Sequence, residues 1–302
     1  MARSKMLCQS DIMKAEIFAS YKAFLRQTRK LPTQYLRQFW RLKAFDDVRA
    51  ILGAQTLHIR QTKLQRMAKD TRRLEAANSH KIHALDHVLK VAYGRKGKLK
   101  RELIEPLLSD PNAPLPTPII PGVEDSRPPI YSPELRALLT SSASRPSAVL
   151  RNDALETPPT LPARANPKSE EAKLLGPFSK RREVNIRWRH FVKESRKVKP
   201  PLQVTVNDSS GSVKTEATRE VGIRSLPMQD WGVFEDIETH ATSPHLSRWI
   251  RRRFQTLLND VPVLQYQSNK KYTVALSEQR LSSDQQKKLN VMDDADVKWL
   301  ER

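Results

Sequence analysis

Six residues between Ile17 and Thr28 could together make a docking surface. Ile17, Phe18, Tyr21, Phe24, Leu25 and Thr28 recur at i, i+3 and i+4, the spacing of one helix face. Lys22, Arg26 and Arg29 follow the same rule on a neighbouring face and form a cationic ridge. An apolar seam edged with positive charge suits a partner that combines acidic surface with something apolar to bury. Three further sets invite a chemical reading. His80, His83 and His87 are spaced i, i+3, i+7, as metal ligands on a helix can be. Their face lies roughly 200° from the Ile82, Leu85, Leu89 stripe at 3.6 residues per turn, so they are expected in solvent. Asp86 falls on a different face, and a stable site needs three or four ligands in defined geometry, so no metal is expected. The run Arg95-Lys96-Gly97-Lys98-Leu99-Lys100-Arg101 has three readings: a solvated helix end, phosphate contacts to RNA, or an edge for an acidic protein. It is no phosphate loop, because no strand precedes it and the Walker pattern is missing. Lys180–Arg189 interleaves basic residues with Trp188, as nucleic-acid binders do. Trp188 nevertheless shares a face with Val184, Phe191 and Val192, which favours docking within the fold. No Gly-x-Ser-x-Gly, His-Glu-x-x-His or dinucleotide fingerprint occurs, and the carboxylates are scattered among cations, so no enzyme is expected.

The elements that would carry these residues can be read from periodicity and breakers. The first helix must end before Pro32, which disfavours helical geometry in the residue ahead of it. Thr33 can cap a second helix whose apolar side is Leu36, Phe39, Trp40, Val48 and Ile51. A third, longer pattern runs from Leu64 to Ala92, is interrupted at Asn78-Ser79, and closes at Gly94 in a left-handed position. Short connections predict an up-down-up bundle over residues 1–108. Residues 109–168 hold Pro111, Pro114, Pro116, Pro118, Pro121, Pro128, Pro129 and Pro133, then a serine-rich stretch, and read as an extended, largely disordered linker. Pro133 to Leu139 is a short apolar island within it. A C-terminal extension, 169–302, carries amphipathic helices near 180–198 and 245–259, the second with Leu246, Trp249, Ile250, Phe254, Leu257 and Leu258 on one face. Between them Val204-Thr205-Val206, Asn207-Asp208 and Gly211 suggest a small hairpin or loop. The two tryptophan-bearing helices, with no core of their own, are expected to pack back onto the N-terminal bundle. The fold class expected is all-α.

Composition narrows the partners. The 302 residues carry a net charge of +21, of which residues 1–108 hold +15 from 24 Lys and Arg against 9 Asp and Glu. Such a field favours RNA, an anionic membrane face or an acidic protein. Hydrophobic residues make up 38%, too few to fill the whole length with core. Cys8 is the only cysteine, so an intrachain disulfide or a cysteine-based metal cluster cannot form, and a reducing compartment fits. No apolar run is long enough to span a membrane. Arg3 and Lys5 precede the first acid, Asp11, as a matrix-targeting region would have it.

These residues resemble the mitochondrial LYR-motif family, also called complex I LYR proteins, whose first helix carries Leu-Tyr-Arg near its start. Ser20-Tyr21-Lys22 stands at the tripeptide, and Leu25-Arg26, Leu31-Pro32, Arg37 and Phe45 fall where the family has its break, an arginine and a phenylalanine. Ala92–Gly97 and Pro177–Arg189 are similar to a fungal branch of long, basic LYR proteins. The resemblance implies a three-helix LYR-type bundle, a matrix location and a non-enzymatic adaptor or assembly factor. In that family the bundle encloses the acyl chain carried by mitochondrial acyl carrier protein, and the basic edge meets that partner's acidic helix and phosphopantetheine. It would place Tyr21, Lys22, Arg26, Arg37 and Phe45 at the contact. It implies no intrinsic cofactor, since the acyl-phosphopantetheine arrives with the partner, and a client complex to receive the pair. The alternative reading, carried by the charge, is a basic RNA-binding or mitoribosome-associated protein.

Overall fold

Breakers and caps place the first elements where the periodicity puts them. In the computed structural model, residues 2–110, 113–207, 213–214, 226, 228–267 and 271–281 are described, residues 2–13 by backbone alone. Helix α1 (Ala2–Arg29) gives way to a turn at Pro32. Thr33, in extended backbone, caps α2 (Gln34–Leu52), its hydroxyl accepting from the Leu36 N–H at 3.3 Å. Thr56 caps α3 (Leu57–Asn78) in the same way. His80 then takes a left-handed φ of 59°, and α4 (Ile82–Ala92) starts afresh. The long third helix expected from the sequence is therefore two helices, broken at the interruption seen at Asn78-Ser79.

The chain divides into two compact units. The first comprises Met1–Tyr93 together with Ser247–Arg253. Leu36, Trp40, Ala44, Val48 and Ile51 form the buried face of α2. Phe24 meets Trp40 with ring centroids 6.2 Å apart, and Met67, Leu74, Leu85, Val88 and Leu89 close the core. Each such side chain contributes ~1.5–3 kcal/mol by leaving water. Polar groups join the helices: the Tyr35 hydroxyl donates to the Ala92 carbonyl at 2.8 Å, and Asn78 donates to the Gln27 carbonyl at 3.0 Å. Lys43 of α2 donates to Asp70 of α3 at 2.7 Å and to Asp47 at 2.8 Å. Burial pushes the Lys43 ammonium down, but the hydrogen bonds to Asp47 and Asp70 outweigh it and hold its pKa above the usual lysine value.

The second unit, Gly94–Leu246 with Phe254–Arg302, departs most from expectation. Its helices are α5 (Lys98–Ile104), α6 (Pro133–Thr140), α7 (Asn152–Glu156), α8 (Glu170–Leu175), α9 (Lys180–Ser195), α10 (Val233–Thr242) and the second half of α11 (Arg248–Leu258). A four-stranded sheet joins them, in the order β2-β1-β3-β4, from β1 (Gln203–Asn207), β2 (Val213–Lys214), β3 (Pro262–Gln267) and β4 (Lys271–Leu276). Where the sequence suggests a small hairpin or loop, β1 and β2 pair antiparallel, with Val206 opposite Lys214. β1 also runs parallel to β3, with Val204 opposite Leu264, and β3 pairs antiparallel with β4. The all-α expectation is thus corrected to a mostly helical fold with a small mixed sheet.

Residues expected to form an extended linker supply part of this unit's core. Ser132 caps α6 by accepting from the Leu135 N–H at 3.1 Å, and its hydroxyl donates to the Leu107 carbonyl. Leu135, Leu138 and Leu139 are fully buried with Leu107, Phe191, Val204 and Leu264, while Val274 of β4 packs alongside. Proline density lowers helix content but does not stop a seven-residue apolar island from docking once a sheet offers it a face. The unit boundary accordingly falls after Tyr93 and not at 108. α9 has a core of its own: Phe191 joins this cluster, and the Trp188 indole N–H donates to the Arg127 carbonyl at 3.0 Å. Only the Trp249 segment, which counts with the first unit, follows the packing expected for both tryptophan helices; Trp249 is buried, edge-on to His80 at 4.9 Å.

Candidate partner-docking site

Helix α1 buries a narrower stripe than its apolar pattern suggests. Ile17, Phe24 and Thr28 are in the core, and the Thr28 hydroxyl returns to the Phe24 carbonyl at 3.0 Å. Tyr21 and Leu25 are half-buried on the flank of that stripe, and Phe18 is 48% exposed. Lys22, Arg26 and Arg29 stand in solvent beside them. Among the described residues no carboxylate pairs with these three cations, while Asp47 and Asp70 are taken up by Lys43 and Arg73. The edge of α1 therefore presents uncompensated positive charge next to accessible apolar surface.

The other two expected contact residues lie on α2. Arg37 is exposed and its Nη1 donates to the Leu31 carbonyl at 3.3 Å, tying the start of α2 to the turn that ends α1. Phe45 is 55% exposed, on the face of α2 opposite Trp40. Leu42, Arg49 and Leu52 recur with it at i−3, i+4 and i+7, so α2 carries a second, outward apolar stripe interleaved with cations. Thus Tyr21, Lys22 and Arg26 come together on α1, and Arg37 joins its end through Leu31. Phe45 stands on a separate stripe with Leu42 and Leu52. Those two leucines went unread because they fall outside the Leu36, Trp40, Ala44, Val48 series. Their spacing from Phe45 was the available signal.

The remaining sequence candidates disperse. His80 precedes α4 and contacts Trp249, so the three histidines share no single helix face. Among the described residues no cluster of His, Cys, Asp or Glu could hold a metal, and no helix is long and apolar enough to cross a membrane. The Arg95–Arg101 run is solvated only in part, at Lys96, Lys98 and Arg101. Arg95 is buried, its Nη1 donating to the Asp260 carbonyl at 3.2 Å, and the Lys100 ammonium donates to the Arg196 carbonyl at 2.8 Å. Trp188 is 41% exposed, edge-on to Phe191, and not the buried anchor its stripe suggested.

Residues 20–104, from the middle of α1 to the end of α5, match the model of the LYR motif-containing protein 2-like family. No curated protein and no solved structure gives a match to the chain. Through this segment the chain is similar to LYR-motif proteins, and the matched residues lie mainly in helices, α1 to α5. Proteins of this family are generally mitochondrial adaptors and assembly factors, and typically not enzymes.

Proposed function

We propose that the chain is a non-enzymatic adaptor of the mitochondrial matrix that binds acyl carrier protein through α1 and presents it to a client complex. The observation that carries this reading is the α1 edge: Lys22, Arg26 and Arg29, inside the family-matched segment, are exposed and without carboxylate partners among the described residues, beside Phe18, Tyr21 and Leu25. Cations on that edge attract an acidic helix and a phosphate and speed encounter. Phe18, Tyr21 and the outward stripe of Phe45 offer apolar area worth about 25 cal/mol per Å² to an acyl chain. Arg37, held by Leu31, extends the positive edge past the turn. The prosthetic arm comes with the partner, so the chain needs no cofactor of its own. A pull-down of purified chain with acylated carrier protein tests this. Binding should weaken with salt, fall at least tenfold on Lys22→Glu with Arg26→Glu, and be far weaker for apo carrier protein. Undiminished binding by the charge-reversed chain refutes the assignment of the edge.

One observation favours a second reading. The outer face of α9 carries Arg181, Arg182, Arg189 and Lys193 around the half-exposed Trp188, the arrangement of a phosphate-tracking surface with a stacking ring. Cosedimentation with mitoribosomes that is abolished by nuclease would support RNA contact. Its persistence after nuclease would leave the adaptor reading alone.

A further inference from the structure

A cleft of about 460 Å³ opens in the second unit between α5 and the C-terminal end of α9. Its size falls in the range, roughly 300–1,000 Å³, of pockets that hold small ligands. Ile104, Leu108, Phe191 and Val192 give it apolar walls. Lys100, Arg101 and Arg196 line it as well, and among the described residues no carboxylate does. More positive charge stands close by. Burial pushes the Lys100 ammonium down, and the neighbouring charges of Arg95 and Lys199 lower it further. Two nearby acids are already engaged, Asp260 with Lys199 at 2.7 Å and Glu194 with Arg145 at 2.6 Å and Lys197 at 2.7 Å. Lys100 spends one of its three N–H donors on the Arg196 carbonyl, which leaves two for a ligand. Three cations around an apolar floor are an unbalanced arrangement. A doubly charged anion attached to an apolar body balances both halves of it at once.

We propose that this cleft binds a small amphiphile with a phosphate monoester head and an apolar chain. The head would sit among Lys100, Arg101 and Arg196, and the chain on Ile104, Leu108, Phe191 and Val192. The site belongs to α5 and α9 and does not depend on the α1 edge or on carrier-protein binding. A phosphate head is preferred to a carboxylate because its second charge is matched by a third cation.

Isothermal titration calorimetry of the full chain with octyl phosphate, kept below its micelle concentration, is the test. Octyl phosphate should bind at least tenfold tighter than inorganic phosphate, octyl glucoside or octanoate. Arg101→Glu with Arg196→Glu, both at exposed positions, should reduce that affinity at least tenfold while leaving the melting temperature unchanged. Val192→Asp should weaken octyl phosphate and spare inorganic phosphate. Lys22→Glu with Arg26→Glu should change none of these values, which separates this proposal from the carrier-protein reading. Binding of octyl phosphate no tighter than of its separate halves, or binding untouched by the cleft reversal, overturns it. So does an RNA oligomer that binds through Arg101 and Arg196 where octyl phosphate does not.

Discussion

Gly94 shows how much one residue can be constrained. Its φ of +66° is a conformation that L side chains rarely adopt, and an added Cβ would lie 2.2 Å from the Leu103 Cδ1, a buried side chain with little room to yield. Gly97 has a φ of +85° but open space around its Cα. Gly94→Ala should therefore cost about 3 kcal/mol and Gly97→Ala about 1 kcal/mol, an ordering that chemical denaturation of the two variants can check. The Arg145–Glu194 pair makes a second residue-scale case. Their side chains are 2% and 6% exposed and 2.6 Å apart, and Lys197 meets the other Glu194 oxygen at 2.7 Å. Arg145→Ala would leave the buried carboxylate to Lys197 alone and should cost ~3 kcal/mol, whereas Arg145→Met with Glu194→Leu removes both charges and should cost less. The same group predicts a pH dependence. Burial pushes the Glu194 carboxyl up, but the hydrogen bonds from Lys197 and Arg145 outweigh it and hold its pKa below the ordinary 4.5. Burial likewise lowers His190 from 6.5, with Glu194 opposing and the nearby cations assisting. Both groups then hold protons more weakly in the folded chain than in the unfolded one. Their contribution is full above 6.5 for His190 and above 4.5 for Glu194, and it is lost as the pH falls through each folded value. Melting temperatures should decline from neutral pH downward, and His190→Gln should remove the first part of that decline.

At the scale of elements, the two tryptophan helices behave differently because one is enclosed and the other is not. Trp249 is 7% exposed, so Trp249→Ala should cost ~3–5 kcal/mol. Trp188 is 41% exposed, and its truncation should cost less than half as much. Equal losses in thermal melts would contradict the burial described for α9. α6 makes the opposite point. Its leucines are as buried as any in the chain although prolines surround it, so the amides of Leu138 and Leu139 should exchange with solvent as slowly as those around Phe191. Rapid exchange there would restore the extended-linker reading of residues 109–168. The start of α2 needed no tertiary information. Thr33 and Pro32 mark the entry to α2 in sequence, and both act through their immediate neighbours.

The whole molecule divides its labour between a helical unit that contains most of the family-matched segment and a mixed unit that holds the cationic cleft. The sheet escaped a local reading for a physical reason. β1 and β3 pair in parallel across more than fifty residues, and nothing local in either strand names the other as its partner. The β3 and β4 strands did leave one, in the β-formers Val263, Tyr266, Tyr272, Thr273 and Val274, set on either side of Ser268-Asn269. Residues 268–270 lie outside the described residues.

Local physics determined what could be read from the sequence: the caps at Thr33 and the left-handed Gly94, the break at Pro32, the interruption at Asn78-Ser79, the buried stripe of α2 and the cationic edge of α1. These depend on residues within one or two helical turns of each other, where spacing and stereochemistry suffice. Outside such regular stripes, tertiary structure alone decided which apolar residues go inside. Phe45 and Trp188 stay at the surface while Leu135, Leu138 and Leu139, set among prolines, are fully buried. Burial is a property of the partner surface as much as of the side chain, and those partners come from distant parts of the chain.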